Sequence, residues 1–150
     1  MNSYAHDIED LINLYGRDTN DILNPYGHVI GDKEIVNKVT TIYNQRKKTK
    51  RLAFLDASCD LGGIAVSFRQ SFPDAVIDIM DRNPCNIEHA KQLPGIKIRN
   101  AYEGGPENLR QVVRRTKYDI IIMEGVSWCL DGDEFHAHFN NCKEQLRPGG

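Results

Sequence analysis

Three acidic residues stand where a carboxylate can serve a ligand. Asp56 ends the apolar run Leu52-Ala53-Phe54-Leu55, Asp81 ends the run that begins at Ala75, and Glu124 follows Ile120-Ile121-Ile122-Met123. After Asp56 comes a tight turn, Ala57-Ser58-Cys59-Asp60-Leu61-Gly62-Gly63. Small residues there let backbone amides come close to a ligand. Asp60 works against a phosphate, and the turn is neither GxGxxG nor a P-loop. Asp81 lies nineteen residues after Gly62, close to the offset of about 20 at which an acid accepts hydrogen bonds from ribose hydroxyls. The plainer reading of Asp81 is a carboxylate that helps cap the helix starting at Pro84. A phosphate-poor loop beside a ribose acid selects a nucleoside with an uncharged or amino-acid tail over a dinucleotide.

Other candidates carry weaker signals. Glu124 can act as a general base or simply face a cation. Trp128 can meet a positive centre through its ring face or form a cleft wall. Tyr26 and His28 share a loop ahead of the first strand and can reach a substrate from there. His136 and His138 are two apart and do not share a helix face for a metal. His6 and His89 read as surface residues. Cysteines at 59, 85, 129 and 142 show no CxxC spacing, so neither a common zinc site nor a disulfide framework is expected, and no metal is assigned.

The elements that must position these residues alternate. Strands are expected at Leu52–Asp56, Ala75–Asp81, Ile96–Arg99 and Tyr118–Met123. Their nearly continuous apolar character suits parallel strands buried on both faces. Helices are expected at 63–71, at 84–92 with Asn83 as cap and Pro84 at the first position, at 106–115 and at about 133–146. Phe135, Phe139, Cys142 and Leu146 mark the apolar face of the last. Ahead of the sheet, Ser3–Tyr15 has helical apolar spacing, residues 17–31 carry turn chemistry, and Asp32 can cap a second helix with Ile35, Val36, Val39, Ile42 and Tyr43 on one face. Strands alternating with helices argue for α/β architecture with right-handed crossovers. Ligands of such sheets bind outside the carboxyl ends of the strands, where the three acids stand.

Length and charge narrow the function. The chain has 150 residues, 40% hydrophobic and 27% charged, with a net charge of -2. Such a balance gives no reason to expect nucleic acid or an acidic membrane as partner. The run Arg46-Lys47-Lys48-Thr49-Lys50-Arg51 reads as a solvated helix end. No signal segment or membrane-length apolar run is present, which points to the cytoplasm. Two regions are expected: an N-terminal helical cover, 1–50, and a nucleoside-binding domain, 51–150. The ending Arg147-Pro148-Gly149-Gly150 reads as a connection. A fragment is therefore expected, or a domain whose fourth-strand edge is covered by a second chain or a second copy.

From Leu52 to Gly150 the chain resembles the class I S-adenosylmethionine-dependent methyltransferases. The stretch Phe54–Gly63 resembles their first motif, and Val76–Pro84 the second, with Asp81 at the ribose acid. Tyr118–Leu130 resembles the fourth-strand motif, and Leu146–Gly150 the turn before a fifth strand. Ser58 and Asp60 stand where the family usually carries glycine.

The resemblance implies a three-layer αβα sandwich with a mostly parallel, Rossmann-like sheet, cut short after the fourth strand and its helix. It implies S-adenosylmethionine as cofactor, methyl transfer as reaction and a small-molecule acceptor. Asp56 would orient the methionine ammonium. Ser58, Asp60 and Gly62 would form the loop beside the cofactor. Asp81, with Arg82 beside it, would hold the ribose. Asn100, Ala101 and Tyr102 would flank the adenine, and Glu124 to Trp128 would line the cleft. Two other readings stay open: a non-catalytic or partner-dependent domain of the same fold, and an NAD-binding oxidoreductase, which Asp60 disfavours.

Overall fold

The computed structural model describes residues 29–45, 51–124 and 131–150. The expected helix at Ser3–Tyr15, Tyr26, His28, most of the basic run and Trp128 lie outside the described residues. The chain divides into two units, Met1–Lys48 and Thr49–Gly150. In the first, helix α1 spans Val29–Gln45. It begins ahead of Asp32, so Asp32 is a helical residue and not the cap. Val36 is buried, and Ile42, expected on the buried face, is exposed.

The second unit is built on four strands. These are β1 Ala53–Asp56, β2 Val76–Asp81, β3 Ile98–Glu103 and β4 Ile120–Ile122. They form one sheet in the order β3-β2-β1-β4, with every pairing parallel. The central β1 is buried at all four positions, as a strand covered on both faces must be. Helix α2, Gly63–Ser71, follows β1, and α3, Pro84–Gln92, follows β2. After β3 a 3₁₀ turn, Pro106–Asn108, runs into the short α4, Leu109–Val113. Helix α5, Gly132–Glu144, follows β4.

Phe54 of β1 stacks on Phe68 of α2, with centroids 4.0 Å apart. Leu55 and Ala53, which alternate with it, share the other core with Met80, Leu109, Val113, Tyr118 and Cys142. The cap of α3 follows the sequence, and that of α5 lies two residues ahead of the expected start. Asn83 accepts a hydrogen bond from the Cys85 backbone, with Pro84 at the first helical position, and Asp131 forms a capping box with Glu134.

Four expectations about the elements of the second unit need correction. The third strand runs over Ile98–Glu103, not Ile96–Arg99, so Asn100, Ala101 and Tyr102 are strand residues and not a turn. The cause is Asp78 in the middle of β2. Its buried carboxylate takes Arg99 Nε at 2.9 Å, Arg99 Nη2 at 2.6 Å, the Asn100 backbone at 3.0 Å and the Tyr118 hydroxyl at 2.8 Å. Polar residues thereby continue the strand. β4 is three residues long, because Tyr118 instead forms a bridge with Leu146 and the Asp119 carboxylate accepts from the Ala53 backbone and Arg147. The expected helix at 106–115 begins as a 3₁₀ turn and ends at Val113, where Arg114 takes a positive φ of 53°. On α5 it is His138 that is buried, while Phe139 is 53% exposed.

Candidate active site

The C-terminal ends of β1, β2 and β4 converge on the turn after Asp56. Its backbone is tied on both sides. Ala57 N donates to the Ile122 carbonyl at 2.8 Å, and Cys59 N to the Met80 carbonyl at 2.9 Å. The Ser58 hydroxyl donates to the Glu124 carbonyl at 2.7 Å. The Asp60 amide donates to Asp81 Oδ2 at 2.8 Å. Asp81 Oδ1 takes the Asn83 amide, also at 2.8 Å. One carboxylate thus joins the loop after β1 to the start of α3, and it keeps lone pairs for a further donor.

Asp60 occupies a left-handed conformation, φ 47°. Asp and Asn tolerate this region better than most residues because a short polar side chain can bond locally. Its carboxylate accepts from Asn86 Nδ2 at 3.3 Å. The residue that looked irregular for a glycine-rich loop is therefore held by α3.

Gly62 answers to packing. It has φ 90° at the N-terminus of α2, and a Cβ there would lie 2.9 Å from Leu93 Cδ1 and 3.1 Å from Ala90 Cβ. The left-handed backbone and the closeness of α3 both call for glycine.

Asp56 is fully buried beneath the turn. Cys59 is buried as well. Burial first, then the neighbouring carboxylates of Asp56, Asp81 and Asp60, push its thiol pKa far up, so it is no nucleophile. Glu124 is exposed at the end of β4. Of the expected adenine flank, Tyr102 packs against the core cluster that includes Leu55 and Met80, and Asn100 bonds the Asp78 carboxylate through its backbone. Glu103 ends the strand and pairs with Asp81 in register. Next to it, Gly104 N donates to the Asp81 carbonyl at 2.9 Å.

Arg82 pairs with Glu107 through two hydrogen bonds, 2.9 and 2.7 Å. Glu107 was not singled out in the sequence. The sign of that pairing is non-local, since the partners are 25 residues apart. His89 is half-buried rather than a surface residue, and burial lowers its pKa. Among the described residues no three His, Cys, Asp or Glu side chains converge as a metal site, and no helix is long and apolar enough to cross a membrane.

Solved structures share this architecture. The chain matches DesVI of Streptomyces venezuelae over 100% of its length, with a TM-score of 0.64 and 20% identity. It matches the plantazolicin methyltransferase BpumL, in complex with a desmethylplantazolicin analogue and S-adenosylhomocysteine, over 96% of its length at 0.68 and 14%. It matches magnesium protoporphyrin IX methyltransferase of Synechocystis PCC 6803, with bound S-adenosylmethionine, over 97% at 0.65 and 16%. The fold is that of the class I S-adenosylmethionine-dependent methyltransferases. At these identities the likeness to the methyltransferases is one of fold. This chain spans 56% of DesVI, 51% of BpumL and 67% of the Synechocystis enzyme. No protein-family model matches the sequence, and no curated protein matches it.

Proposed function

We propose that this chain binds S-adenosylmethionine at the C-terminal ends of β1 and β2 and serves methyl transfer to a small-molecule acceptor. The observation that carries the reading is Asp81. It ends β2, is partly exposed, and is already joined to the loop after β1 by the Asp60 amide. A ribose seated on Asp81 would lie over β2. The rest of the ligand would follow the sheet order. A tail toward the loop of β1 leaves the base to lie over β3, beside Arg82 and Glu107.

The residues fit such a ligand. Asp81 would accept from ribose hydroxyls. The turn from Ser58 to Gly63, with the Asp60 carboxylate, and the Glu124 carboxylate at the end of β4 would face the zwitterionic tail, which these two carboxylates suit better than they suit a pyrophosphate. When bound, S-adenosylmethionine supplies a methyl group activated on a sulfonium. The chain's contribution is proximity and alignment. A small-molecule acceptor is favoured by the net charge of -2. The compounds in the neighbours' names, plantazolicin and magnesium protoporphyrin IX, are also small molecules.

One observation favours a second reading. The Asp81 carboxylate already accepts from two amides of its own chain, as expected if it serves the architecture of the turn rather than a ligand. That would be a non-catalytic or partner-dependent domain. Calorimetric titration of the intact chain with S-adenosylmethionine, S-adenosylhomocysteine and NAD decides. Binding of the first two and not of NAD supports the enzyme reading. Binding of none supports the second, and binding of NAD alone overturns both.

A further inference from the structure

All four strands start at one end of the sheet, because every pairing is parallel. The turns ahead of them share that end, and cations gather there. Arg51, the last member of the basic run, stands two residues ahead of β1, and Lys97 directly ahead of β3. Arg114, Arg115 and Lys117 belong to the turn between α4 and β4. All of these are exposed. The opposite end carries acids. Asp81, Glu103 and Glu124 stand at the ends of β2, β3 and β4, and Asp131, Asp133 and Glu134 where α5 begins. The net charge of -2 is thus the difference between two separated faces.

The cations that the fold itself uses are other ones. Arg69, in the last turn of α2, donates to the carbonyls of Pro73 at 2.6 Å, Ala75 at 2.7 Å, Ile96 at 2.7 Å and Lys97 at 3.2 Å. It ties the backbone of Lys97 to the turn before β2. Arg99 lies on the buried Asp78, and Arg147 on Asp119. The Glu144 carboxylate holds Arg110 at 3.1 Å, and Asp74 adds an exposed carboxylate to this end. Arg51 donates to the Asp74 carbonyl at 2.7 Å, and Lys117 to that of Glu144. Lys97, Arg114 and Arg115 meet no carboxylate among the described residues. Like charge is already crowded there, since burial and then Arg51 lower the Arg69 pKa. A helix dipole favours cations only within its last turn. Lys97 stands five residues beyond the end of α3, and Lys117 four beyond that of α4.

We propose that this end of the sheet is a docking face for the phosphodiester backbone of a nucleic acid duplex, bound without regard to sequence. Strands about 4.8 Å apart put the starts of β3 and β4 about 14 Å from each other. That is the axial length of about four base pairs. Guanidinium forks and ammonium groups are what neutralise phosphates. A single strand also needs aromatic side chains on which its bases stack, and a protein partner or a membrane needs apolar groups. Among the described residues the exposed large apolar side chains are Ile42 and Phe139, and neither lies in these turns. The acids at the opposite end repel the same backbone. The duplex would therefore hold the chain in place without entering the adenosyl site, and the proposal does not rest on that site.

The test is fluorescence anisotropy of a labelled DNA duplex of about 20 base pairs, titrated with the intact chain in salt from about 50 to 200 mM. Binding is expected at micromolar concentrations of chain in the lower salt. Three or more phosphate contacts give log affinity a slope of about -2.7 or steeper on log salt, a loss of at least about 40-fold across that range. Arg114→Gln combined with Arg115→Gln should take about 1.8 from the slope, and Lys97→Gln about 0.9. Asp133→Asn changes the charge at the far end of α5, roughly 20 Å away and beyond a Debye length of about 10 Å. It should leave the affinity unchanged.

A duplex that does not bind, or binds with a slope shallower than about -0.9, overturns the proposal. So does an Asp133→Asn chain that gains as much affinity as Lys97→Gln loses, because net charge and not the face would then decide. Displacement of the duplex by S-adenosylhomocysteine would put it in the cleft and overturns the proposal as well. A single strand of the same length that binds more tightly than the duplex overturns the assignment to a duplex. Binding to anionic phosphatidylserine vesicles without binding to the duplex gives the face to a membrane instead. Circular dichroism of each variant separates loss of fold from loss of contact.

Discussion

The Asp60 amide donates to the Asp81 carboxylate at 2.8 Å, so the residue expected to hold a ribose also holds the loop that borders it. Replacing Asp81 should therefore do two things at once. Asp81→Ala is expected to weaken S-adenosylhomocysteine binding by at least about tenfold, the scale of one hydrogen bond to a charged group. It should also release the Asp60 and Asn83 amides to faster hydrogen exchange in the absence of ligand. Faster exchange with unchanged affinity would confine Asp81 to the architecture.

Gly62 predicts a cost that has nothing to do with ligand. Gly62→Ala places a Cβ at φ 90° and 2.9 Å from Leu93 Cδ1. A left-handed residue with a Cβ costs about 1–2 kcal/mol, and the displaced Leu93 adds to it. Urea unfolding should show a loss of about 2 kcal/mol or more.

Asp78 joins β2, β3 and Tyr118 through one buried carboxylate. Asp78→Ala would take from the Tyr118 hydroxyl its buried acceptor and from the Arg99 guanidinium its counter-ion. Asp78 holds three partners, so its loss should cost more than the about 1–3 kcal/mol of Tyr118→Phe, which leaves one acceptor site of the carboxylate unmet, although Arg99, with 42% of its side chain exposed, can turn to water. The ordering of the two in urea unfolding is the check.

That network also shows how far local pattern reaches. Asn83-Pro84 announces its helix locally. Asp56 and Asp81 mark their strand ends because an apolar run stops there. Arg99 and Asn100 look like the end of β3 until Asp78, 21 and 22 residues earlier, supplies the charge that keeps them in the sheet. The same holds at the site. Ser58, Asp60 and Asp81 stand in the loop and at the strand end where the sequence put them, whereas the Arg82–Glu107 pair forms only when the turn after β3 folds back beside β2. On α5, Phe139 outranks His138 in hydrophobicity, yet His138 faces the 3₁₀ turn and is the one buried.

The alkaline limb of stability should fall early. In the folded chain burial, then Asp56, Asp81 and Asp60, raise the Cys59 pKa far above that of a free thiol. The unfolded chain loses this proton near pH 8.5, roughly the value of a free thiol. The folded chain keeps it, so the contribution is whole below that pH and declines above it, by about 1.4 kcal/mol per pH unit. Cys142, raised by burial to about 11, adds its share until that value. Tyr118, raised by burial and then by Asp78, joins above about pH 10. Urea midpoints measured at successive alkaline pH values should show the decline, and Cys59→Ala should shed its part of the slope.

The all-parallel order β3-β2-β1-β4 also sets a timetable for synthesis. β2 and β3 each follow their neighbour after one helix, so three strands can meet while the ribosome is still adding residues. β4 must return to β1 across 66 residues, the separation between Ala53 and Asp119. Until Ile122 clears the exit tunnel, one side of β1 offers its backbone to whatever strand comes near. In that interval the unpaired side of β1 is an open strand edge, the feature that invites pairing with another chain.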